Sequence, residues 1–594
     1  MMPKEVCIPE DELCEECRQI DWNRLAGGQL QFNSGKNGVV LYGIGVEMRK
    51  SMCALCRIVS GAMNPQNTST GAQLHIAVDP MFKRPILRIS TRDAAQPLAL
   101  SAFSDDEDPS MLVPQFVTPN AVDFDVVRQW VSSCANQHSI SCLPTSRSQI
   151  PGLKVIDCHT EHVVALPDAH CPYVALSYVW GTPRKDDEAS AAYPQTIQDS
   201  MTVTLALGFR YIWVDRYCID QDNDVERHQQ ICMMDRIYSD ARLTIIAAAG
   251  SDAGYGLPGV STRGRLPQQQ FRTKGLTFLQ LYNPIVSIQE SIWASRGWTF
   301  QEGFLSHRRL IFTDQEVAFL CNKAHHQESV RGNGLDRVNI PELRNFMPAQ
   351  DSAFVGAARQ RVLRQYSQRS LRYDTDAINA CEGIFKALRT PHIWGIPAQR
   401  DSPDLCWRSD TPGRRRNTFP TWSWASSEGA KSFYLYPAVN VYHVEVMSAT
   451  NSWQTITDYV HTARSTPAPP VGKVLRRTGV IVKPRFMKPR PTGLAKTILL
   501  PLLGTARTTF ALYLDTPDVD LDNIVALAFY KGRSNALGGK IGAWFIILKP
   551  VGTFYKRVGI TESFEWDHYA PDGLDKKADW SWIEGPETRT IYMV

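Results

Sequence analysis

The sequence predicts an α/β fold built on a parallel sheet, because three short apolar runs alternate with two helical patterns between residues 173 and 250. YVALSYV (173–179), YIWVD (211–215) and RLTIIAAAG (242–250) read as strands. The last is apolar throughout, as a strand covered on both faces would be. QTIQDSMTVTLALG (195–208) reads as a helix ending at Gly208, and a second helix starts at Asn223, with Glu226 three residues on. Strand, helix, strand, helix, strand implies right-handed crossovers. Ligands in such sheets gather at the carboxyl ends of the strands. Ser177, Tyr178 and Trp180 follow the first strand, and Asp215, Cys218 and Asp220 the second, so a site is expected among them.

Four segments are expected: 1–150, 151–330 with the α/β pattern, 331–417 and 418–594. The first is loosely patterned and carries two CxxC pairs, CEEC (Cys14, Cys17) and CALC (Cys53, Cys56). Two such pairs are the ligand set of a four-thiolate structural zinc site. The 35 residues between them exceed the spacing of short zinc ribbons, and reduced thiols packing the region are the alternative. SAFSDDEDPS (101–110) reads as a solvated acidic loop. QRVLRQYSQRSLRYDTDAINACEGIFKAL (360–388) has apolar residues at helical spacing. After TFPTWSWASSEG (418–429), the runs NIVALAFYKG (523–532), KIGAWFIILKPVG (540–552) and TFYKRVGITES (553–563) read as antiparallel strands, and STPAPPVG (465–472) as a linker.

Composition narrows the function. The balance of 64 basic and 60 acidic residues gives +4, too weak over this length to argue for nucleic acid as a partner. MMPKEVCIPEDELCEEC lacks the apolar run of a signal peptide. No stretch approaches the roughly 18 apolar residues of a membrane helix, and AKTILLPLLGTA (495–506) is short and broken by Pro501. A cytoplasmic protein with reduced thiols is expected, its fourteen cysteines serving as buried hydrophobes, metal ligands or reactive groups.

Several motifs have a structural reading beside a chemical one. GYGLPG (254–259) matches a dinucleotide fingerprint, but Pro258 and VSTRGRLP do not continue as the helix that motif needs. RRR (414–416) reads as solvated surface. Cys218 as a nucleophile is disfavoured by Asp215 and Asp220, which raise a thiol pKa. Asp215 and Asp220 could form a carboxylate pair, or bind a hard cation with Asp222 and Asp224, and acids ahead of a helix also complement its dipole. In SRGWTFQEGFLSHRRLIF (295–312), Thr299 and Glu302 fit a capping box, which competes with a catalytic role for Glu302.

Three of these stretches together resemble one family. YVALSYVWG, YIWVDRYCIDQDNDVERHQQICMMDRIYSDARLTIIAAAG and RGWTFQEGFLSHRRLIF are similar to the fungal heterokaryon incompatibility (HET) domain, over roughly 165–330. The CxxC pairs and FPTWSWASSEG look like flanking parts of long HET-domain proteins. The chain departs from the family pattern at Val179, where a cysteine is common, and at Phe300, where leucine is. The resemblance implies non-self recognition that ends in growth arrest or cell death. It also implies self-association, an incompatibility partner protein and a TIR-like parallel-sheet core.

TIR domains open with a strand like FISYS and carry a later WCxxE whose glutamate cleaves NAD+ in the catalytic members. ALSYVWG looks like the first and WTFQE (298–302) like the second. By that likeness Glu302 is the catalytic carboxylate, and Ser177, Tyr178, Trp180, Asp215, Asp220 and Trp298 are expected around NAD+. Breaking the nicotinamide–ribose bond passes through an oxocarbenium-like state that one placed carboxylate can stabilise. A non-enzymatic module acting by protein–protein assembly is the competing expectation, and a metal-dependent hydrolase at Asp215 and Asp220 a third.

Overall fold

The computed structural model describes residues 11–20, 22, 39–40, 52–61, 73–78, 85–90, 98–103, 112–144, 150–168, 170–182, 192–332, 335–336, 355–398, 405–433, 444–448, 450–465, 471–486, 496–500, 508–534, 540–561 and 586–594. Residues 104–110 of the acidic run and 466–470 of the expected linker lie outside them. The chain divides into two compact units, Met1–Ala294 with Ser306–Ala349, and Ser295–Leu305 with Gln350–Val594.

A nine-stranded sheet organises the first unit, and all three expected strands lie at its centre, as Tyr173–Ser177, Tyr211–Trp213 and Leu243–Ala247. Tyr173–Ser177 runs parallel to both others, Val174 pairing with Ile212 and with Leu243. Every residue of the three is buried, which is why they read as unbroken apolar runs. The sheet is mixed rather than purely parallel. A fourth parallel strand, Arg308–Phe312, pairs with Leu243–Ala247, and antiparallel strands extend both edges. RRLIF gives no apolar signal because Arg308 and Arg309 are buried with their guanidiniums engaged, by Cys134 and the Arg242 carbonyl for Arg308 and by Asn322 for Arg309.

The crossovers follow local chemistry. The helix Gln195–Ala206 stops where Gly208 takes φ 81°, a left-handed conformation that glycine adopts without a Cβ penalty. The helix Asp224–Cys232 starts at Asn223, whose side chain accepts from Val225 N and Glu226 N at 3.1 Å each. The pattern breaks at Met233, and Met234–Asp240 resumes with Met234, Ile237 and Tyr238 buried.

A second, antiparallel sheet in this unit joins Gln73–Val78, Pro85–Ser90 and Leu98–Phe103 to Leu276–Leu281 and Gln270–Thr273. Phe271 and Phe278 stack at 4.6 Å, with the Trp22 ring edge-on to both. The helix Phe124–Gln137 is capped by Asp123, which accepts from Asp125 N and Val126 N.

The second unit holds the helices Gly297–Leu305, Val355–Ser367 and Asp376–Ala387 and a ten-stranded sheet. Val525–Ser534, Lys540–Val551 and Phe554–Thr561 are the three strands read at this end of the sequence, and they pair antiparallel in succession. FPTWSWASSEG is architectural. Trp422 donates to the Lys473 carbonyl at 3.1 Å, Trp424 to the Gly395 carbonyl at 2.7 Å, and Ser423 caps a 3-10 turn over Trp424–Ser426.

Candidate functional site

At the carboxyl ends of the central strands, the residues expected to form a site make two separate contacts within the first unit. Ser177 Oγ accepts a 2.7 Å hydrogen bond from Trp293 Nε1, both side chains being fully buried. Trp180 donates its indole N–H to Asp215, at 3.1 Å to Oδ1 and 2.9 Å to Oδ2, and both residues are half-buried. Asp215 opens the single turn Asp215–Cys218, and its Oδ1 also accepts from Arg216 N at 2.7 Å. The Arg216 guanidinium lies 5.9 Å from the Trp180 ring centre. Tyr178 is buried. Asp220 is turned to its own backbone, accepting from Asp222 N at 3.1 Å.

The strand-end geometry depends on Gly181, the last residue of YVALSYVWG. Its φ is 79°, and a Cβ there would lie 2.3 Å from the Asp252 Cβ.

Glu302 and Trp298 belong to the second unit. The helix that carries them begins at Gly297, so Thr299 sits inside its first turn and is not an N-cap. Thr299 Oγ1 donates instead to the Arg296 carbonyl at 3.0 Å. Glu302 is 5% exposed. It lies within electrostatic reach of Arg369, whose pKa burial pulls down to about 9 against the opposing pull of Tyr366 and Glu302. Trp298 donates to Asp376 Oδ2 at 3.0 Å, and the neighbouring Gln301 accepts from Gly383 N at 2.8 Å, which fastens the helix to Asp376–Ala387.

The two CxxC pairs converge despite their separation in sequence. Cys14, Cys17, Cys53 and Cys56 hold their Sγ atoms within 4.8 Å of one another. Cys56 Sγ lies 3.7 Å from Cys14 Sγ and 3.8 Å from Cys17 Sγ. Tetrahedral zinc at a Zn–S distance of about 2.3 Å requires Sγ atoms about 3.8 Å apart, so the quartet is of metal-binding size. Burial above all pushes Cys17 up, and Cys56 to about 12. Burial opposes ionisation of Cys53 as well, but hydrogen bonds from Cys14 and Cys56 outweigh it and lower that thiol. Trp22 anchors the quartet to the aromatic core by donating to the Cys17 carbonyl at 3.1 Å.

Among the described residues a second group of close ligands is Cys134, His138, Cys142 and Cys321. The sequence reading missed it, although Cys134, His138 and Cys142 recur every fourth residue. Neither group contains Asp215 or Asp220.

The remaining motifs have structural explanations. Cys218 is buried, which pushes its thiol up to about 12, and its sulfur accepts from Val214 N at 3.3 Å. GYGLPG forms turns with no helix behind it, Leu257 N donating to Asp199 at 2.7 Å. RRR is not a solvated triplet. Arg414 pairs with Asp374 and Glu428, Arg416 is buried beside Asp374, and burial lowers the Arg415 pKa. Among the described residues no helix is long and apolar enough to cross a membrane.

Comparison with known proteins bears on the stretch that carries these strand ends. The family model described as heterokaryon incompatibility protein (HET) matches residues 173–302. Heterokaryon incompatibility protein 6, OR allele, of Neurospora crassa is 28% identical over a stretch covering 17% of this chain and 19% of that protein. The match thus spans about a fifth of the relative's length. No solved structure matches the chain. The matched interval begins with the Tyr173 strand, contains the Trp180–Asp215 pair and ends on Glu302, so residues 173–302 of this chain are a heterokaryon incompatibility (HET) domain.

Proposed function

We propose that the chain acts in heterokaryon incompatibility as a cytoplasmic non-self recognition protein. Its HET domain sets off a cell-death-type response by assembling with itself and with an incompatibility partner protein. The observation that carries assembly over catalysis is the environment of Glu302. A carboxylate that must meet a ribose needs access, whereas Glu302 is 5% exposed and lies within electrostatic reach of the half-buried Arg369. Cys14, Cys17, Cys53 and Cys56 hold a structural zinc in this reading, supported by the tetrahedral size of their quartet.

A second reading, a TIR-like NAD+ nucleosidase, is favoured by the Trp180–Asp215 pair. It is half-buried rather than sealed, and it stands at the carboxyl ends of adjacent parallel strands, where α/β sheets take ligands. In that reading Ser177, Tyr178, Trp180, Asp215 and Asp220 form the NAD+ surroundings in the first unit, and the catalytic carboxylate is the residue that the WTFQE likeness points to, Glu302.

One isosteric change separates the two. Glu302→Gln is compared with wild type in the full chain, measuring nicotinamide release from NAD+ under forced clustering and growth arrest on expression. Arrest that persists in Glu302→Gln, with no nicotinamide from either protein, supports assembly. Nicotinamide released by wild type and lost, together with arrest, in a normally melting Glu302→Gln overturns assembly in favour of catalysis.

A further inference from the structure

We propose that Cys134, His138, Cys142 and Cys321 form a second structural zinc site, of three thiolates and one imidazole, which staples the Phe124–Gln137 helix to the strand Val317–Cys321 of the nine-stranded sheet. The four ligand atoms lie within 4.8 Å of one another, and the three cysteines are buried. Cys321 Sγ lies 3.5 Å from His138 Nδ1. Ligands held at about 2.3 Å for sulfur and 2.0–2.1 Å for imidazole nitrogen stand about that far apart around one tetrahedral zinc.

Two local devices assemble the quartet. Cys134 lies in the last turn of Phe124–Gln137, His138 is its C-cap, and Cys142 ends the next turn, Ser139–Cys142. His138 N donates to the Cys134 carbonyl, and Cys142 N to the His138 carbonyl, at 3.0 Å each. The chain therefore keeps winding, and the four-residue interval puts all three side chains on one face. Cys321 comes from far along the sequence, 183 residues beyond His138, at the end of the strand Val317–Cys321. There the hairpin into Ala324–Gln327 turns the N–H groups of Lys323 and Ala324 onto Cys321 Sγ, at 3.4 and 3.1 Å. Backbone N–H groups aimed at a sulfur stabilise a thiolate.

The surroundings fit the charge of such a site. Zinc with three thiolates carries one net negative charge, and the buried Arg308 places its Nε 3.2 Å from Cys134 Sγ. Asn322, beside Cys321, donates to the Ser141 carbonyl at 2.9 Å, which ties the hairpin to the turn that carries Cys142. Three sulfurs with one nitrogen and no carboxylate favour zinc over harder ions. Four protein ligands leave no open position, so the site is structural rather than catalytic.

The test uses the full chain, with zinc measured per polypeptide and cobalt as a spectroscopic substitute. Wild type is expected to hold zinc that Cys142→Ser with Cys321→Ser removes, about one equivalent. Cys17→Ser with Cys56→Ser leaves that equivalent in place, so the N-terminal quartet is scored separately. His138→Cys keeps four ligands and guards against variants that simply fail to fold. Loaded with cobalt, it is expected to lose the three-thiolate visible spectrum and gain the four-thiolate one. Zinc content indifferent to Cys142 and Cys321, a cobalt spectrum unmoved by His138→Cys, or a disulfide between two of the three cysteines in the freshly isolated protein would each overturn the site.

Discussion

The indole N–H of Trp180 is shared between the two carboxylate oxygens of Asp215, joining the segments that leave two adjacent parallel strands. A hydrogen bond to an ionised, half-buried carboxylate contributes about 1.5–3 kcal/mol. Trp180→Phe keeps an aromatic ring and removes the donor, so it should lower stability by roughly 1–2 kcal/mol after partial rehydration of Asp215. Urea unfolding reads this as a lower midpoint at unchanged slope. Asp215→Asn, which keeps an acceptor for Trp180, should cost less.

Gly181 and Gly208 have nearly the same backbone angle, φ 79° and 81°, but different surroundings. A Cβ on Gly208 meets nothing within 4 Å, whereas one on Gly181 meets the Asp252 side chain at 2.3 Å. Gly208→Ala should therefore cost only the left-handed penalty, about 1–2 kcal/mol. Gly181→Ala adds displacement of the Asp252 segment, on the order of a further 1–3 kcal/mol. Equal losses in thermal or urea melts would mean that the Asp252 contact carries no weight.

Glu316 predicts a pH dependence whose sign is opposite to that of a salt-bridged acid. Burial raises its pKa to about 8, against hydrogen bonds from Ser329 that favour the charged form. The folded state therefore holds a proton that the unfolded chain releases near the ordinary glutamate value. The stability tied to this proton is fully present below that ordinary value and is lost as pH rises through about 8. Wild type should weaken by a few kcal/mol between pH 5 and 9 relative to Glu316→Gln, on the order set by 1.36 kcal/mol per pKa unit. A difference between the two proteins that does not change with pH would refute the assignment.

The sequence made legible what depends on local pattern. Buried strands announced themselves as apolar runs at 173, 211 and 242, and Asn223 was readable as a cap because its partners lie two and three residues on. The Arg308–Phe312 strand was hidden because two arginines are buried through partners distant in sequence, Cys134 among them. Thr299 looked like a cap because its spacing to Glu302 is right, but the helix starts two residues earlier, at Gly297. The strand-end grouping of Trp180 with Asp215 followed from topology. That Trp298 and Glu302 pack into the second unit did not, since Asp376 and Arg369 are matched to them only in three dimensions.

Arg557 and Asp515 offer the sharpest test of how the second unit is held together. Both side chains are fully buried, with Arg557 Nε 3.1 Å from Asp515 Oδ2. The guanidinium also donates to the Leu405 carbonyl at 2.9 Å and lies 3.5 Å over the Trp407 ring. Asp515 is also an attractive neighbour of the buried Lys431, whose pKa burial pulls down to about 7. Removing Asp515 alone therefore strands one guanidinium and takes a favourable charge from an already strained ammonium. Asp515→Ala should cost about 3–5 kcal/mol, the range for breaking a buried pair from one side. Replacing both partners by apolar residues of similar volume, Asp515→Leu with Arg557→Met, removes both charges and should recover much of that loss. The recovery will be incomplete, because the Leu405 carbonyl then loses its charged donor. A double variant no more stable than Asp515→Ala would mean that Arg557 works through its carbonyl and Trp407 contacts, and that the carboxylate is secondary.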